Sequence, residues 1–289
     1  MRKYILLFLA MWCSYLFTAP GHIDRTDGWT RYIVAESIVE YGRPIIGEEY
    51  VGVLGDLWVV PGVDNNYSFY GIGQSAAMVP LYMVGRWVGS VTGGFGAASI
   101  EQFFVSFINT IVGALLAISV FHLARNLGFQ KRTAFRLVLM VGFGTIVWVH
   151  TRDSYDHIWE TFCVTSAMAM LVYAMNHGAS PLVLLGGGLL AATGMVTRVS
   201  TAFAFPAFTL LLFIGLSDAS PQWREVGWWR QGVRNCLWFS TGVLPGVLLN
   251  LWYNAVRFGS WYATGYEDRV PYWFSHPIWL GLANFLVSP

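Results

Sequence analysis

The chain has little charge. Asp, Glu, Lys and Arg make up 11% of its 289 residues, with a formal net charge of +1. A protein that grips nucleic-acid phosphates needs Lys and Arg clustered on a solvated face, so nucleic acid is excluded as a partner. Cysteine is scarce as well. Cys13, Cys163 and Cys236 lie in or beside apolar segments with no paired spacing, which argues against a disulfide framework or a thiolate metal site. The three read as small core hydrophobes. No internal repeat or low-complexity tract is present. What fills the chain is apolar: 55% hydrophobic and 17% aromatic residues, with a mean hydropathy of +0.52. That is the composition of an integral membrane protein, all-α in fold class.

Arg2 and Lys3 precede an apolar run from Tyr4 to Ala19. A positive start and a hydrophobic middle also describe a signal peptide that would be cut after Ala19. The bulky Trp12, Tyr15 and Phe17 and the lack of an Ala-x-Ala ending favour an uncleaved first span, with the N-terminus cytoplasmic. Two later stretches are rich in cations, Arg125 to Arg136 and Arg224 to Arg234, and both are expected inside. The apolar stretch Gly71 to Val91, broken by Pro80, Arg86 and several glycines, decides the sidedness. If it crossed, the first cationic loop would fall outside. It is therefore read as lying along the outer surface, giving about seven spans near 4–19, 101–123, 134–150, 158–176, 181–197, 201–216 and 236–254.

This reading makes residues 1–289 one membrane module with a first external loop over 20–100. Trp29 to Tyr41 has helical periodicity, with Arg31, Glu36 and Glu40 on its polar side, and is too short and too charged to span. Juxtamembrane helices are expected near 29–41 and 72–91, with loop from Gly42 to Asn66. The closing Ile278 to Pro289 reads as the opening of another hydrophobic segment, so a further C-terminal module is expected to be absent or truncated.

On this topology the carboxylates collect outside. Asp24 and Asp27 flank the start of the first juxtamembrane helix, where an N-cap and a general base are both open roles for Asp27 and capping suits Asp24. A second cluster, residues 150–160 (HTRDSYDHIWE), sits between apolar segments in a loop too short to fold alone. Ionisable groups at membrane depth are costly unless paired or facing water, so His150, Arg152, Asp153 and Asp156 are candidates for a site. The bland alternative pairs Arg152 with one of the aspartates. His150 and His157 raise a metal site, but interfacial histidines more often hydrogen-bond, so no ligand set is assigned and a divalent metal is left open. Arg198, at an outer helix end, suits a lipid phosphate or a structural partner such as Asp156. The glycines 186–188 read as close helix packing. Gly71 and Gly73 read as a turn that faces Tyr67, Tyr70 and Gln74 to the site. The stretch 254–268 (NAVRFGSWYATGYED) is aromatic and polar at once, either an interfacial belt or a sugar-stacking surface that uses Asn254 and Tyr266.

Taken together, the Asp27-led helix, residues 67–75 (YSFYGIGQS) followed by Pro80, the acidic second loop, and Asn254 with Arg257, Phe258, Gly259 and Tyr266 resemble the GT-C superfamily of membrane glycosyltransferases. The nearest flavour is the protein O-mannosyltransferase and aminoarabinose transferase group, glycosyltransferase family 39-like. The resemblance runs over the whole chain. It departs at Gly28, where the family has a second acidic residue, and at residues 70–74 (YGIGQ), where it has a Lys/His-Pro-Pro-Leu element.

The resemblance implies a GT-C-type helical bundle in a prokaryotic plasma membrane, with its active site facing outside. It implies transfer of a sugar from a polyprenyl-phosphate donor to an acceptor hydroxyl on a glycan, lipid or protein, with inversion. Asp27 would act as base and Asp156 as the second-loop acid, while Asp24, Arg31, Tyr67, Tyr70, Gln74, His150, Arg152, Asp153, Arg198, Asn254 and Tyr266 would bind substrate. A transporter or lipid flippase, or a non-catalytic membrane subunit, is the alternative. Replacing Asp27 by Asn separates these, since only an enzyme has turnover to lose.

Overall fold

A computed structural model describes residues 2–23, 27–55, 58–92, 96–214, 226–265, 277, 279–280 and 287. The chain is mostly helical. After α1 (Arg2–Thr18) and α2 (Asp27–Tyr41) comes a short mixed segment: β1 (Ile45–Ile46), α3 (Glu48–Leu54), β2 (Val59–Pro61) and β3 (Asn66–Ser68). Then follow α4 (Gly73–Val91), α5 (Ala97–Val105), α6 (Ile108–Asn126), α7 (Lys131–Gly144), α8 (Ile146–His150), α9 (His157–His177) and α10 (Pro181–Thr197). A 3-10 turn (Val199–Ala204), α11 (Phe205–Ile214) and α12 (Val226–Phe258) complete the order.

A helix overlies each of the segments expected to span, but length and apolarity support fewer crossings. Among the described residues three helical stretches are long and apolar enough to cross a membrane: Ala98–Asn126, His157–His177 and Gly227–Phe258. Pro181–Thr197 and Val199–Phe213 are apolar but shorter. The expected span 134–150 is divided at Thr145, whose backbone is extended and whose hydroxyl oxygen accepts the Val147 N–H at 3.2 Å, starting α8 afresh.

Close backbone contact holds the bundle where the glycines stand. A Cβ on Gly188 would collide with the Phe239 carbonyl oxygen, and one on Gly242 with the Leu185 carbonyl oxygen. Gly246 likewise faces Ala192. Close van der Waals approach of this kind binds α10 to α12. Around that seam Ala167, Leu171, Leu184, Ala191, Phe208, Leu212 and Phe239 form a buried core. A second core packs Met11 and Tyr15 of α1 against Ala114, Ala117 and Phe121 of α6 and Val138 of α7.

Two expectations about the first external loop need correction. Residues 42–66 are not plain loop: β1, β3 and β2 pair antiparallel in that order, with Ile45 and Val60 both opposite Tyr67. Strands of two or three residues are too short to leave a periodic signal, and Pro61 is tolerated because β2 is an edge strand. Nor does α2 lie on a surface with its charges outward. Thr30, Arg31, Tyr32, Ile33, Val34, Ala35 and Ser37 are all buried. Tyr32, Ile33, Val34 and Ala35 join a core with Ile46, Leu54 and Val59 from the mixed segment, Met78 and Tyr82 of α4, and Val105 and Ile108. The helix thus buries apolar residues on two sides and takes Arg31 inside with them.

Candidate functional site

The site is built where three chain segments are pressed together by residues without side chains. Gly28 sits in the first turn of α2, and a Cβ there would meet the Ser154 Cβ at 2.5 Å. Gly71 and Gly73 lie against the end of α10, where a Cβ on Gly71 would be 2.7 Å from the Thr197 carbonyl oxygen and one on Gly73 would run into the Thr197 hydroxyl. The start of α2 therefore meets the 150–156 loop, residues 71–73 meet the C-terminus of α10, and the Asp156–Arg198 pair joins the two. Gly71 and Gly73, where the chain bends between β3 and α4, thus also permit close approach to α10.

Polar side chains inside the bundle fix the middle segment. Asn109, buried near the start of α6, donates from Nδ2 to the carbonyl oxygens of Tyr155 (2.7 Å), Asp153 (2.9 Å) and His150 (3.3 Å). Gln74 of α4 donates to the carbonyls of Tyr155 (3.2 Å) and Ser154 (3.3 Å) and to Asn109 Oδ1 (3.3 Å). This clasp satisfies carbonyls that no helix or strand would otherwise pair. It delivers Asp156 to the N-cap of α9, yet the Asp156 carboxylate caps nothing.

That carboxylate binds two arginines. Arg31, fully buried, donates from NH2 to Asp156 Oδ2 at 2.8 Å, and Arg198 reaches Asp156 Oδ1 at 3.5 Å. Arg31 also lies i+4 from Asp27, with NH1 3.9 Å from Asp27 Oδ2. Its guanidinium stacks on the Tyr70 ring at 3.9 Å. Asp27 accepts the Trp58 indole N–H at 2.9 Å and the Tyr70 hydroxyl. Burial first, then the bond to Asp27, pushes the Tyr70 hydroxyl well above its ordinary value, so it stays protonated as a donor. Arg31 thus bridges two aspartates 125 and 4 positions away. Its Nε and NH1 make no hydrogen bond, an expensive state for buried charged donors.

One side of the cluster is more open. The Arg198 side chain is 40% exposed and that of Asp27 29%, against 6% for Asp156. Arg198 also donates from NH1 to His157 Nδ1 at 2.8 Å. Since a guanidinium only donates, His157 Nδ1 must carry its lone pair. Glu160, one turn into α9, stands 3.9 Å from Arg198 Nε and accepts the hydroxyls of Thr201 (2.9 Å) and Ser200 (3.2 Å). Two guanidiniums sharing one buried carboxylate, beside a partly exposed aspartate, form a cluster that can bind an anionic oxygen and a hydroxyl side by side.

The expected site residues divide. Asp27, Arg31, Tyr70, Asp156 and Arg198 come together, and Gln74 supports them from beneath. His150 pairs with Asp153 Oδ2 at 2.7 Å and its ring lies 4.7 Å from that of His157, at the edge of the cluster. Tyr67 does not face the site. It is the central residue of the sheet, its hydroxyl donates to Asp64 at 2.7 Å, and burial pushes it up to about 12. Arg152 turns away to the Thr18 carbonyl at 3.0 Å, pinning the end of α1 rather than pairing with either aspartate. Asn254 accepts a bond from Arg257 NH2 at 2.7 Å. Asp24 and Tyr266 lie outside the described residues. Among the described residues no three His, Cys, Asp or Glu side chains converge as a metal-ligand set.

Sequence reasoning missed Trp58, Asn109, Glu160 and Arg257. Asn109 had a signal, a lone amide within an apolar run. Arg257 had none. It is buried, donates to the carbonyls of Ser68 (2.8 Å) and Tyr70 (3.4 Å), and lies over the rings of Tyr253 and Phe258, so that α12 holds the strand leading to Tyr70. Comparison of the chain with protein-family models, with curated proteins and with solved structures returns no match in any of the three.

Proposed function

We propose that this cluster transfers a sugar from a polyprenyl-phosphate donor to an acceptor hydroxyl at the outer membrane surface. Asp27 is the base. Its exposed carboxylate edge takes the proton of the acceptor hydroxyl, whose oxygen attacks the anomeric carbon while the lipid phosphate leaves from the opposite face, inverting the configuration. Trp58 and Tyr70 aim the carboxylate from behind. Arg198, whose side chain is 40% exposed, meets the phosphate as it gains charge, with the buried Arg31 adding its positive charge from behind, and such preorganised groups act most strongly in the transition state. Asp156 changes role relative to the sequence expectation. Holding both arginines and nearly buried, it is a positioning residue and not a proton donor. A membrane location suits a donor whose prenyl chain stays in the bilayer.

The observation that carries the reading is Arg31, a buried guanidinium stacked on Tyr70 that links Asp27 to Asp156. The test supplies purified protein in nanodiscs with undecaprenyl-phosphate mannose and undecaprenyl-phosphate aminoarabinose and measures release of undecaprenyl phosphate. Asp27→Asn is expected to abolish release by at least about a hundredfold while donor still binds. Release undiminished in Asp27→Asn, or no release from either donor by the wild type, would count against the assignment.

A further inference from the structure

A second feature lies away from that cluster. Between α1, α6 and α7 runs a groove of about 670 Å³ lined by Leu6, Leu7, Ala10, Met11, Phe135 and Leu139. This lies within the range of roughly 300–1,000 Å³ that small-molecule sites occupy. Three cations belong to its lining, Lys3, Arg125 and Lys131, and no carboxylate does. Their placement follows from the ends of the helices. Lys3 stands in the first turn of α1, Arg125 in the last turn of α6 and Lys131 at the first position of α7. The turn between α6 and α7 is tight because Gly128 takes φ +88°, where its N–H bonds the Arg125 carbonyl at 3.1 Å. That turn holds Arg125 and Lys131 at one end of the groove. Tyr4 closes the same end, stacked on His122 at 4.7 Å between ring centroids.

The dimensions match half a bilayer. From Lys3 to Ser14 on α1, or from Lys131 to Phe143 on α7, the helical rise gives a length of about 16–18 Å. Half of a hydrocarbon core about 30 Å thick is about 15 Å. With its three cations and tyrosine set at headgroup depth, a groove of this length would reach about the midplane. Its walls carry exposed apolar groups, with Leu6 65% and Phe135 47% accessible. Arg125 gives one N–H to the Phe129 carbonyl, while Lys3 and Lys131 are exposed and form no ion pair among the described residues.

We propose that this groove binds an anionic phospholipid, one acyl chain lying along α1 and the phosphate held by Lys3, Arg125 and Lys131. Neutral zwitterionic lipid fits the apolar part equally, so the cations are what select. Basic pockets between membrane helices take acidic headgroups on this ground, each Lys or Arg contributing to retention. The site is separate from the sugar-transfer cluster and does not depend on that reading.

The test is native mass spectrometry of protein released from phosphatidylcholine nanodiscs doped with a minority of phosphatidylglycerol. Wild type is expected to retain phosphatidylglycerol in preference to phosphatidylcholine. Lys3→Gln/Lys131→Gln, which removes two exposed and unpaired charges, is expected to lower that preference at least about tenfold. Arg132→Gln/Arg136→Gln removes two exposed cations from the same region outside the groove and is expected to leave the preference unchanged. Ala10→Trp, which fills the groove with all cations in place, is expected to lower retention of both lipids. Equal loss in the two charge variants would mean general attraction to a basic surface and would overturn the site. So would phosphatidylglycerol retention unaffected by Lys3→Gln/Lys131→Gln.

Discussion

Replacing Asp156 by asparagine isolates the bridge on which the proposed chemistry rests. The Arg31 and Asp156 side chains are 1% and 6% exposed and meet at 2.8 Å, so the substitution keeps the shape and removes one charge from a buried pair. Stranding a buried charge in this way costs about 3–5 kcal/mol. Two neighbours soften the loss here. Asp27 remains 3.9 Å from Arg31, and the Tyr70 ring still faces the guanidinium at 3.9 Å. Arg198 adds little, because its side chain is 40% exposed and its pair with Asp156 is long. The expected cost is therefore at the lower end, about 3 kcal/mol. That corresponds to a fall of roughly 5 °C in the thermal midpoint of a chain this long. The assay is intrinsic tryptophan fluorescence on heating in detergent, run beside donor turnover. Removing both charges in Arg31→Met/Asp156→Leu is expected to recover most of the stability, since an apolar pair replaces a buried ion pair at little net cost. Turnover should stay lost in both variants. A midpoint for Asp156→Asn indistinguishable from wild type, or a double variant no more stable than the single, would refute the bridge.

Other perturbations follow from the same geometry. Gly71→Ala forces a methyl into the Val196 and Thr197 backbone and is expected to cost about 1–3 kcal/mol and reduce turnover, whereas Gly52→Ala, with open space around it in exposed α3, should be stabilising by about 0.5–1 kcal/mol; paired thermal melts check the contrast. Trp58→Phe keeps the ring but removes the 2.9 Å bond to Asp27, so turnover should drop about tenfold or more with the melting curve little changed. Glu36 lies in α2, where burial raises its carboxyl pKa above the ordinary 4.5 although the Tyr50 hydroxyl opposes this. The folded state then binds the proton more tightly than the unfolded one, so this group's contribution is full below pH 4.5 and is lost as pH rises through the raised folded value. Glu36→Gln should flatten that decline and stabilise the protein at neutral pH, and melts across a pH series would show it.

Much of the architecture was legible because an apolar run in a membrane protein has few choices. Buried backbone groups must pair within the segment, so long apolar runs such as 158–176 and 181–197 favour helices, and α9 and α10 occupy nearly those limits. Glycines 186–188 were equally readable, since small residues in such a run have little use other than close approach. Asp27 and Asp156 stood out as carboxylates at the ends of apolar segments. That they share a site was expected, but the means of joining them was not readable: Arg31 links them, Gly28 presses against Ser154 and Asn109 clasps the 150–156 loop.

The fate of single charges between α1 and α5 belongs to the fold alone. Periodicity placed Arg31 on a polar face with Glu36 and Glu40, but a guanidinium can enter the core when a carboxylate from a distant segment is already waiting there, and Asp156 is 125 residues away. Tyr67 and Tyr70 show the same division within four residues. Strand pairing turns the first toward Asp64, while Arg257 and the contact at Gly71 bring the second over Arg31. Local composition decides which segments leave water, because that free energy sums along the chain. Which polar groups become partners is decided by packing, since a buried charge is tolerated only where the fold supplies its opposite within a few ångströms.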